Sequence, residues 1–345
     1  MGASGNVGTS LLRALADEPA VDSVLGLCRR LPEAEFPKTE WREADVVSTP
    51  LRPLFQGADA VVHLAWLIQP GRDKETLRAV NVDGSARVFR AAAAAQVDTL
   101  VHASSVGAYA PGPKDHRVDE SWPTTGIPSS FYARHKAEVE RLLDAFEREQ
   151  ERIRVVRLRP GLIFKRDAAS GIRRLFAGPL LPGALVRREL IPVVPADERL
   201  VFQAVHSHDV GEAYRLALLG DVAGPFNIAA EPVLDPAELG RILGARPVRV
   251  PGRVLRGAAA ATFKLRLQPS EPGWVDMGLA VPLMDVTRAR EELGWQPQHS
   301  AADALVDLLE GMREGAGLDT PPLEPGGAGP LRAREFLSGV GGRTG

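Results

Sequence analysis

Residues 2–8 read GASGNVG, which places three glycines in a G-x-x-G-x-x-G spacing. Glycines permit a tight turn, close approach of the backbone to a diphosphate, and close packing of the helix that follows. Residues 6–17 have helical periodicity, so the start of that helix would offer amide donors and a positive dipole end to phosphate oxygens. The stretch therefore predicts the phosphate-binding loop of a dinucleotide site, made of Gly2, Gly5, Asn6, Val7 and Gly8.

Strand-like and helix-like segments alternate through the first 160 residues of the chain. Such alternation predicts a parallel sheet covered by helices on both faces, and right-handed crossovers make that sheet doubly wound. We therefore predict an α/β fold, a Rossmann-type doubly wound parallel sheet with a smaller C-terminal substrate lobe. The predicted strands lie at 22–28, 41–46, 59–65, 99–103 and 153–159, and the long helices at 75–95 and 130–148.

The regular alternation ends in the second half of the chain, where stretches rich in Gly, Pro and Leu appear. We assign residues 1–165 and 201–230 to the dinucleotide-binding domain, and residues 166–200 and 231–314 to the substrate-binding lobe. Residues 315–345 are dominated by Gly, Pro and charged residues, a composition that predicts a disordered tail.

The glycine loop of a Rossmann fold follows a central β-strand, whereas this sequence begins at Met1. We therefore expect the first strand to be missing from the chain, which would leave neighbouring strands without ladder partners. Our hypothesis is an N-terminal truncation, most simply a misplaced start codon. The alternative is that another segment fills the gap.

Composition and charge exclude several classes of function. The formal net charge of −2 over 345 residues gives no electrostatic basis for binding nucleic acid or an anionic membrane. The single cysteine, Cys28, cannot form an internal disulfide and has no neighbouring metal ligands. No signal peptide and no apolar run of transmembrane length is present. We therefore predict a cytoplasmic protein that acts on a small molecule and uses no metal.

The end of the second predicted strand reads Cys28-Arg29-Arg30. An acidic residue about 20 positions after the glycines would bind a ribose 2′-hydroxyl and select NAD. Arginines instead suit a 2′-phosphate, because guanidinium groups bind phosphate with forked hydrogen bonds. Arg29 and Arg30 thus favour NADP over NAD as the cofactor, and the alternative is a pair of solvated surface arginines.

Three side chains form a candidate catalytic group. Tyr132 and Lys136 are four residues apart on a predicted helix and so share one face. A cation there would lower the pKa of the tyrosine and make it an acid/base for a hydroxyl or carbonyl oxygen. Ser105 follows an apolar strand, whose C-terminal end borders the ligand crevice of an α/β sheet. It is placed to hydrogen-bond the reacting oxygen.

Together these motifs resemble the extended short-chain dehydrogenase/reductases, also called the NAD-dependent epimerase/dehydratase family, from residue 2 to about residue 298. The matched positions are the glycines, Asp45, HLA at 63–65, NVDG at 81–84, Ser105 with Tyr109, Tyr132 with Lys136, RPG at 159–161, HSHDV at 206–210 and DVTRAREELGWQP at 285–297.

The resemblance implies further roles. Asp45 and Val46 would flank the adenine, and Lys136 would also hold the nicotinamide ribose. Asn81 would belong to the catalytic residues by supporting the helix near the site, and it could cap a helix or turn at the same time. The remaining positions implied along the cofactor are Leu64, Ala65 and Pro160. The family expectation for assembly is a homodimer through the helices at 75–95 and 130–148.

Departures from the family pattern bear on the reaction. Dehydratases of the family carry an Asp-Glu pair where this chain has Val106-Gly107, which disfavours dehydration. Sugar-nucleotide enzymes of the family commonly have an Asn after the sixth strand and an Arg before the H-x-x-D segment, where this chain has Pro160-Gly161 and Phe202. Arg159-Pro160 is more similar to reductase and hydroxysteroid-dehydrogenase branches. The candidate lining residues suit an apolar substrate: Trp66, Leu67, Ile68 and Phe164.

We therefore predict an NAD(P)-dependent oxidoreductase that interconverts a carbonyl and a secondary alcohol, with Tyr132 handling the proton on oxygen. One alternative is an NAD-dependent sugar-nucleotide epimerase that uses the same groups. A second alternative is a catalytically silent NAD(P)-binding sensor or scaffold, because a fold does not dictate an activity.

Overall fold

The computed structural model describes residues 1–68, 72–176, 191–268 and 270–325, with the side chains of 174–176 excepted. The strands of the described residues are β1 Val24–Cys28, β2 Thr39–Glu43, β3 Ala60–His63, β4 Thr99–Ala103, β5 Arg117–Val118, β6 Arg154–Pro160, β7 Leu162–Phe164, β8 Val193–Ala196, β9 Ala204–His206, β10 Gly224–Ile228, β11 Arg246–Arg249 and β12 Leu283–Met284.

Helices separate most of these strands, as the sequence predicts for a Rossmann-type fold. The α-helices of the described residues are α1 Asn6–Leu15, α2 Arg52–Phe55, α3 Lys74–Arg78, α4 Gly84–Ala95, α5 Phe131–Glu149, α6 Ala169–Phe176, α7 Ser207–Leu219, α8 Pro236–Leu243, α9 Gly252–Lys264, α10 Gly273–Ala280, α11 Thr287–Glu291 and α12 Ala301–Glu314.

The main sheet is parallel and has the order β10-β6-β4-β3, and β1 pairs in parallel with β2 beside it. Successive residues of its strands face opposite layers. Leu100 packs in one apolar core with α4 and α5, whereas Val101 packs in a second core with α1 and α7. This alternation, with period 2, places helices on both faces and confirms the doubly wound α/β fold.

Met1 and Gly2 lie between the two groups of strands. The Met1 amino group donates to Val62 O over 2.8 Å, and Leu64 N donates to Met1 O over 2.9 Å. Gly2 N donates to Leu27 O over 2.8 Å. No strand in the described ranges pairs with both β1 and β3. These hydrogen bonds place the glycine loop at the C-terminal edge of the sheet.

The helix predicted at 75–95 is interrupted. Ala79–Asp83 forms a π-helical turn between α3 and α4, and Asn81 lies at its centre. A π-helical turn inserts an extra residue into a helix and is often found at functional sites. Helical periodicity in the sequence does not reveal such an insertion, because the apolar face is preserved on either side.

The C-terminal elements include a further parallel pair, β8 with β11, and helices α8 to α10. Part of the proposed lobe, 177–190, lies outside the described residues, and the assignment of the two domains stays a prediction. The segment expected to be a disordered tail is packed in its first part: Thr320 is fully buried and Leu323 is 4% exposed. Backbone amides of Glu33 and Ala34 donate to Asp319 O. The rest of that segment, 326–345, lies outside the described residues.

Within the described residues, no helix combines the length and apolarity needed to cross a membrane.

Candidate active site

Ser105, Tyr132 and Lys136 converge at the C-terminal end of β4. Ser105 follows that strand and accepts a hydrogen bond from Gly107 N over 3.0 Å, which starts a short 3₁₀ turn. Ser130 caps the first turn of α5 by accepting from Ala133 N. This cap fixes the start of the helix, so Tyr132 and Lys136, one turn apart, both point toward β4. Ser105 lies close enough to Tyr132 for its hydroxyl to lower the pKa of the phenol.

Lys136 is the buried cation of this group and is only 3% exposed. Its Nζ donates a hydrogen bond of 2.7 Å to Ala103 O, the last residue of β4. Burial lowers the pKa of Lys136 to about 7, although the negative charge of Glu140 opposes that shift. The ammonium therefore lies close to the balance between its charged and neutral forms near pH 7.

Tyr132 behaves differently from the sequence-based expectation of a lowered pKa. Burial raises the pKa of Tyr132 to about 12, and the Ser105 hydrogen bond only partly offsets it. The Lys136 Nζ is 5.8 Å from the centre of the Tyr132 ring and is bound to Ala103 O instead. In this arrangement Tyr132 is a neutral phenol, which can donate a proton.

Aromatic rings enclose the catalytic group. The rings of Trp66 and Tyr132 meet edge to face with centroids 5.9 Å apart, and Trp274 lies against Tyr132 at 4.9 Å. Gly107 makes room for the phenol ring, because a Cβ there would lie 2.9 Å from Tyr132 Cε1 and 3.1 Å from Met277 Sδ. The surroundings of Tyr132 are therefore apolar and tightly packed.

The glycine loop has the shape of a phosphate cradle. Gly2 has φ +81°, and a Cβ on it would lie 2.7 Å from Ala65 N, so only glycine fits. Gly8 packs against the loop itself, since its Cβ would lie 2.4 Å from Ala3 O. Gly5 is the N-cap of α1, and no described side chain caps that helix. Its first amides are thus available to an anion.

Asn6 and Val7 form the first turn of α1. Asn6 Nδ2 donates to Ile163 O over 3.4 Å, and its buried Oδ1 has no hydrogen-bond partner in the described part of the chain. Val7 packs against the core shared by α1 and α7. An open helix start and glycines without room for a Cβ fit the diphosphate of a dinucleotide.

The residues implied around the adenine also lie at this edge. Asp45 Oδ1 accepts from Val47 N over 2.9 Å, while Asp45 N donates to Thr49 Oγ1. Val46 is 4% exposed, and Gly84 lets α4 approach it, because a Cβ on Gly84 would lie 2.7 Å from Val46 Cγ2.

Arg29 and Arg30 follow β1, and both are exposed. Leu64 and Ala65 follow β3, and the contact of Ala65 with Gly2 brings them against the glycine loop. The structure therefore places each of these predicted residues at the C-terminal edge of the sheet.

Asn81 holds the loop after β3 in place. Its Oδ1 accepts from Leu67 N over 2.7 Å, and its Nδ2 donates to Leu67 O over 2.8 Å. The side chain is fully buried in the π-helical turn. Asn81 therefore supports the loop that carries Trp66, and its place in the catalytic group stays a prediction.

Pro160 ends β6 and lies beside a buried ion network. Arg159 donates through Nε and Nη2 to the Glu140 carboxylate, at 2.8 and 2.9 Å, and Arg157 Nη1 donates to the same carboxylate at 2.8 Å. Burial opposes ionisation, but Arg159, Arg157 and the Ser104 hydroxyl lower the pKa of Glu140 to about 2. Glu140 is thus a fixed negative charge one turn beyond Lys136.

A family model described as the NAD dependent epimerase/dehydratase family matches residues 1–229. The chain is an enzyme of this family.

Relatives of the chain carry different names. The uncharacterized protein Rv2047c of Mycobacterium tuberculosis is 29% identical over 320 residues, which is 92% of this chain. This chain spans only 30% of the length of that relative. The UDP-glucose 4-epimerase of Mycolicibacterium smegmatis is 28% identical over 330 residues, covering 90% of this chain and 97% of the relative.

Solved structures of the NAD-dependent epimerase/dehydratase type share the fold. The UDP-glucuronic acid 4-epimerase of Bacillus cereus, solved in complex with NAD, has a TM-score of 0.65, 19% identity, and coverage of 91% of this chain and 97% of its own. The dTDP-glucose 4,6-dehydratase of Streptomyces venezuelae, also with NAD bound, has a TM-score of 0.65, 22% identity, and coverage of 91% and 95%.

Sequence reasoning missed several residues of this family member's site. Trp274 contacts Tyr132 from a segment without any recognised motif. Lys165 is 1% exposed, and its Nζ donates to Asn6 O, Thr9 Oγ1 and Ser10 Oγ of α1 at 2.9, 2.7 and 3.1 Å. No local pattern identifies either residue, because each contact joins segments more than 130 residues apart.

Proposed function

We propose that this enzyme is an NAD(P)-dependent oxidoreductase that interconverts a carbonyl and a secondary alcohol, with Tyr132 as its acid/base. The observation that carries the proposal is the convergence of Ser105, Tyr132 and Lys136 at the end of β4, beside a glycine loop that fits a diphosphate. When bound, a nicotinamide dinucleotide would supply or accept the hydride.

The protein's own groups have separate tasks in this reaction. In the direction of reduction, the neutral phenol of Tyr132 donates its proton to the carbonyl oxygen. The Ser105 hydroxyl lies beside that phenol and would bind the same oxygen. In its charged form, Lys136 would stabilise the tyrosinate that the donation leaves behind. It is also the residue that would hold the nicotinamide ribose.

The surroundings of Tyr132 support an apolar substrate. The indoles of Trp66 and Trp274 contact its ring, and Met277 lies next to it across Gly107. Gly107 also argues against dehydration, because a side chain at this position would collide with the Tyr132 ring. The position where dehydratases of the family have an acid therefore has no space for one.

The exposed pair Arg29 and Arg30 supports NADP as the preferred cofactor. The similar enzymes from Bacillus cereus and Streptomyces venezuelae were solved with NAD. The two arginines follow β1, where NAD-binding Rossmann folds have an acidic residue. We base the preference for NADP on this difference.

The decisive experiment replaces Tyr132 by Phe. Tyr132→Phe keeps the ring that packs against Trp66 and Trp274 but removes the proton. We expect oxidation of secondary alcohols and reduction of ketones to fall by about a hundredfold to ten-thousandfold, the range that a general acid contributes. The dissociation constant of NADPH, measured by fluorescence titration, should stay within about twofold, since only one hydroxyl changes. Near-normal turnover by Tyr132→Phe would remove the mechanism.

A sugar-nucleotide epimerase is the second candidate, and the relation to the Mycolicibacterium smegmatis UDP-glucose 4-epimerase favours it. An epimerase regenerates its cofactor in each turnover, so it gains nothing from releasing it. Purified protein that retains NAD and epimerises UDP-glucose without net redox change would support this candidate. Protein that purifies cofactor-free, with NADPH-dependent ketone reduction, would support the oxidoreductase.

A further inference from the structure

Trp66 covers the ammonium group of Lys136. The Lys136 Nζ is 3.5 Å from the centroid of the Trp66 ring, and the same nitrogen donates to Ala103 O. Lys136 is almost completely buried, so these two neighbours take the place of much of its hydration. A cation over the face of Trp is attracted to the ring quadrupole, and more strongly when both groups are desolvated.

The indole is held over Lys136 by its backbone and by ring contacts. Asn81 binds both backbone groups of Leu67, the residue after Trp66, and the Tyr132 ring meets the indole edge to face. The buried Nε1 of Trp66 has no hydrogen-bond partner among the described residues. The ring contacts with Lys136 and Tyr132 therefore orient the indole, and no hydrogen bond competes with them.

We propose that Trp66 is a positioning residue whose indole face keeps Lys136 charged and fixed at the end of β4. The inference rests on the proposed function only for the use of that charge, which is to stabilise the tyrosinate at Tyr132.

Other charged and titratable groups face Lys136 from each neighbouring element. On α5 these are Tyr132, a neutral phenol, and Glu140, whose charge favours the ammonium. On β3 and β4 they are His63 and His102, and burial holds the pKa of both well below the usual range. Both histidines are thus neutral around pH 7. Burial disfavours the charged form of Lys136, whereas the negative charge of Glu140 and the face of the Trp66 ring favour it.

The experiment compares Trp66→Phe with Trp66→Leu in cofactor-free protein. The two substitutes are apolar and similar in size, so they admit water to a similar degree, but only Phe offers an aromatic face. The titration of Lys136 is followed by competitive acetylation across a pH series and mass spectrometry, with exposed Lys74 as the internal reference.

We expect the midpoint of Lys136 to fall by about one pH unit in Trp66→Leu, a tenfold change in proton affinity, and by clearly less in Trp66→Phe. The alkaline limb of kcat/KM should move in the same order. Trp274→Leu is the matched control, because this indole contacts Tyr132 and makes no described contact with Lys136. It should leave the Lys136 midpoint unchanged.

Equal shifts of the Lys136 midpoint in Trp66→Phe and Trp66→Leu would overturn the proposal, since the effect would then come from the lost side-chain volume and not from the lost aromatic face. An unshifted midpoint in Trp66→Leu would do so as well. Circular dichroism checks that each variant is folded, and Trp66→Met replaces Trp66→Leu if the latter is not. An active Tyr132→Phe enzyme would contradict the proposed function. It would not affect the test of Trp66, because the acetylation measurement does not require turnover.

Discussion

Gly107 lies directly against the ring of Tyr132. A Cβ at position 107 would approach Tyr132 Cε1 to 2.9 Å, a distance that side-chain atoms do not tolerate, and Met277 closes the other side at 3.1 Å. Glycine is therefore the only residue that fits at position 107. The position of the proposed proton donor depends on a residue that has no side chain.

Gly107→Ala should displace the Tyr132 ring. We expect kcat/KM to fall by about ten- to hundredfold, because misplacement of a reacting group by an ångström has an effect of this size. Cofactor affinity, measured by titration with NADPH, should be unchanged. Gly257→Ala is the control, since Gly257 lies in α9 with open space around it and should keep full activity. Full activity of Gly107→Ala would show that the contact does not position Tyr132.

Replacement of Arg29 and Arg30 by Ser should alter the choice of cofactor. Charge-assisted hydrogen bonds to a phosphate contribute about 1.5–3 kcal/mol, so NADPH affinity should fall by about tenfold or more while NADH affinity stays unchanged. The dissociation constants of both cofactors are measured for each protein. Arg141 and Arg148, exposed on α5, give a control pair of equal charge. A loss that is equal for the two cofactors would contradict recognition of the 2′-phosphate.

Lys165 should make stability depend on pH. Burial lowers the pKa of Lys165 to about 7, whereas an unfolded lysine titrates near 10.4. Between these values the unfolded chain binds a proton that the folded protein does not, so this lysine adds about 1.4 kcal/mol of stability per unit rise in pH. Below pH 7 both states are protonated, and the folded state bears the full cost of the buried charge.

Lys165→Met removes this dependence. The stability of Lys165→Met relative to the wild type should therefore be greatest near pH 7 and decline as pH rises toward 10. Urea unfolding at pH 7, 8 and 9 measures the difference. Exposed Lys74→Met supplies the control and should follow the wild-type curve. If the difference between Lys165→Met and wild type does not change with pH, the pKa of Lys165 is not lowered by burial.

Local patterns in the sequence determined much of this protein. The glycine spacing at 2–8 predicts the loop and the start of α1, because a tight turn and a close approach depend on the absence of Cβ at those positions. The spacing of Tyr132 and Lys136 predicts a shared face of α5, because four residues are about one helical turn. Alternating strands and helices predict the parallel sheet. Each of these inferences uses residues that are neighbours along the chain.

Only the tertiary structure decided how these parts interact. It binds Lys136 to Ala103 and covers it with Trp66. It also buries the Tyr132 phenol, which raises the pKa that the four-residue spacing predicts to be lowered. It also brings Trp274 to the site and buries Lys165 beneath α1. The pKa of a group depends on its water, its hydrogen bonds and the charges near it in space. The hydration, hydrogen bonds and nearby charges of a group are set by packing between distant segments, so the spacing of residues within the sequence does not predict them.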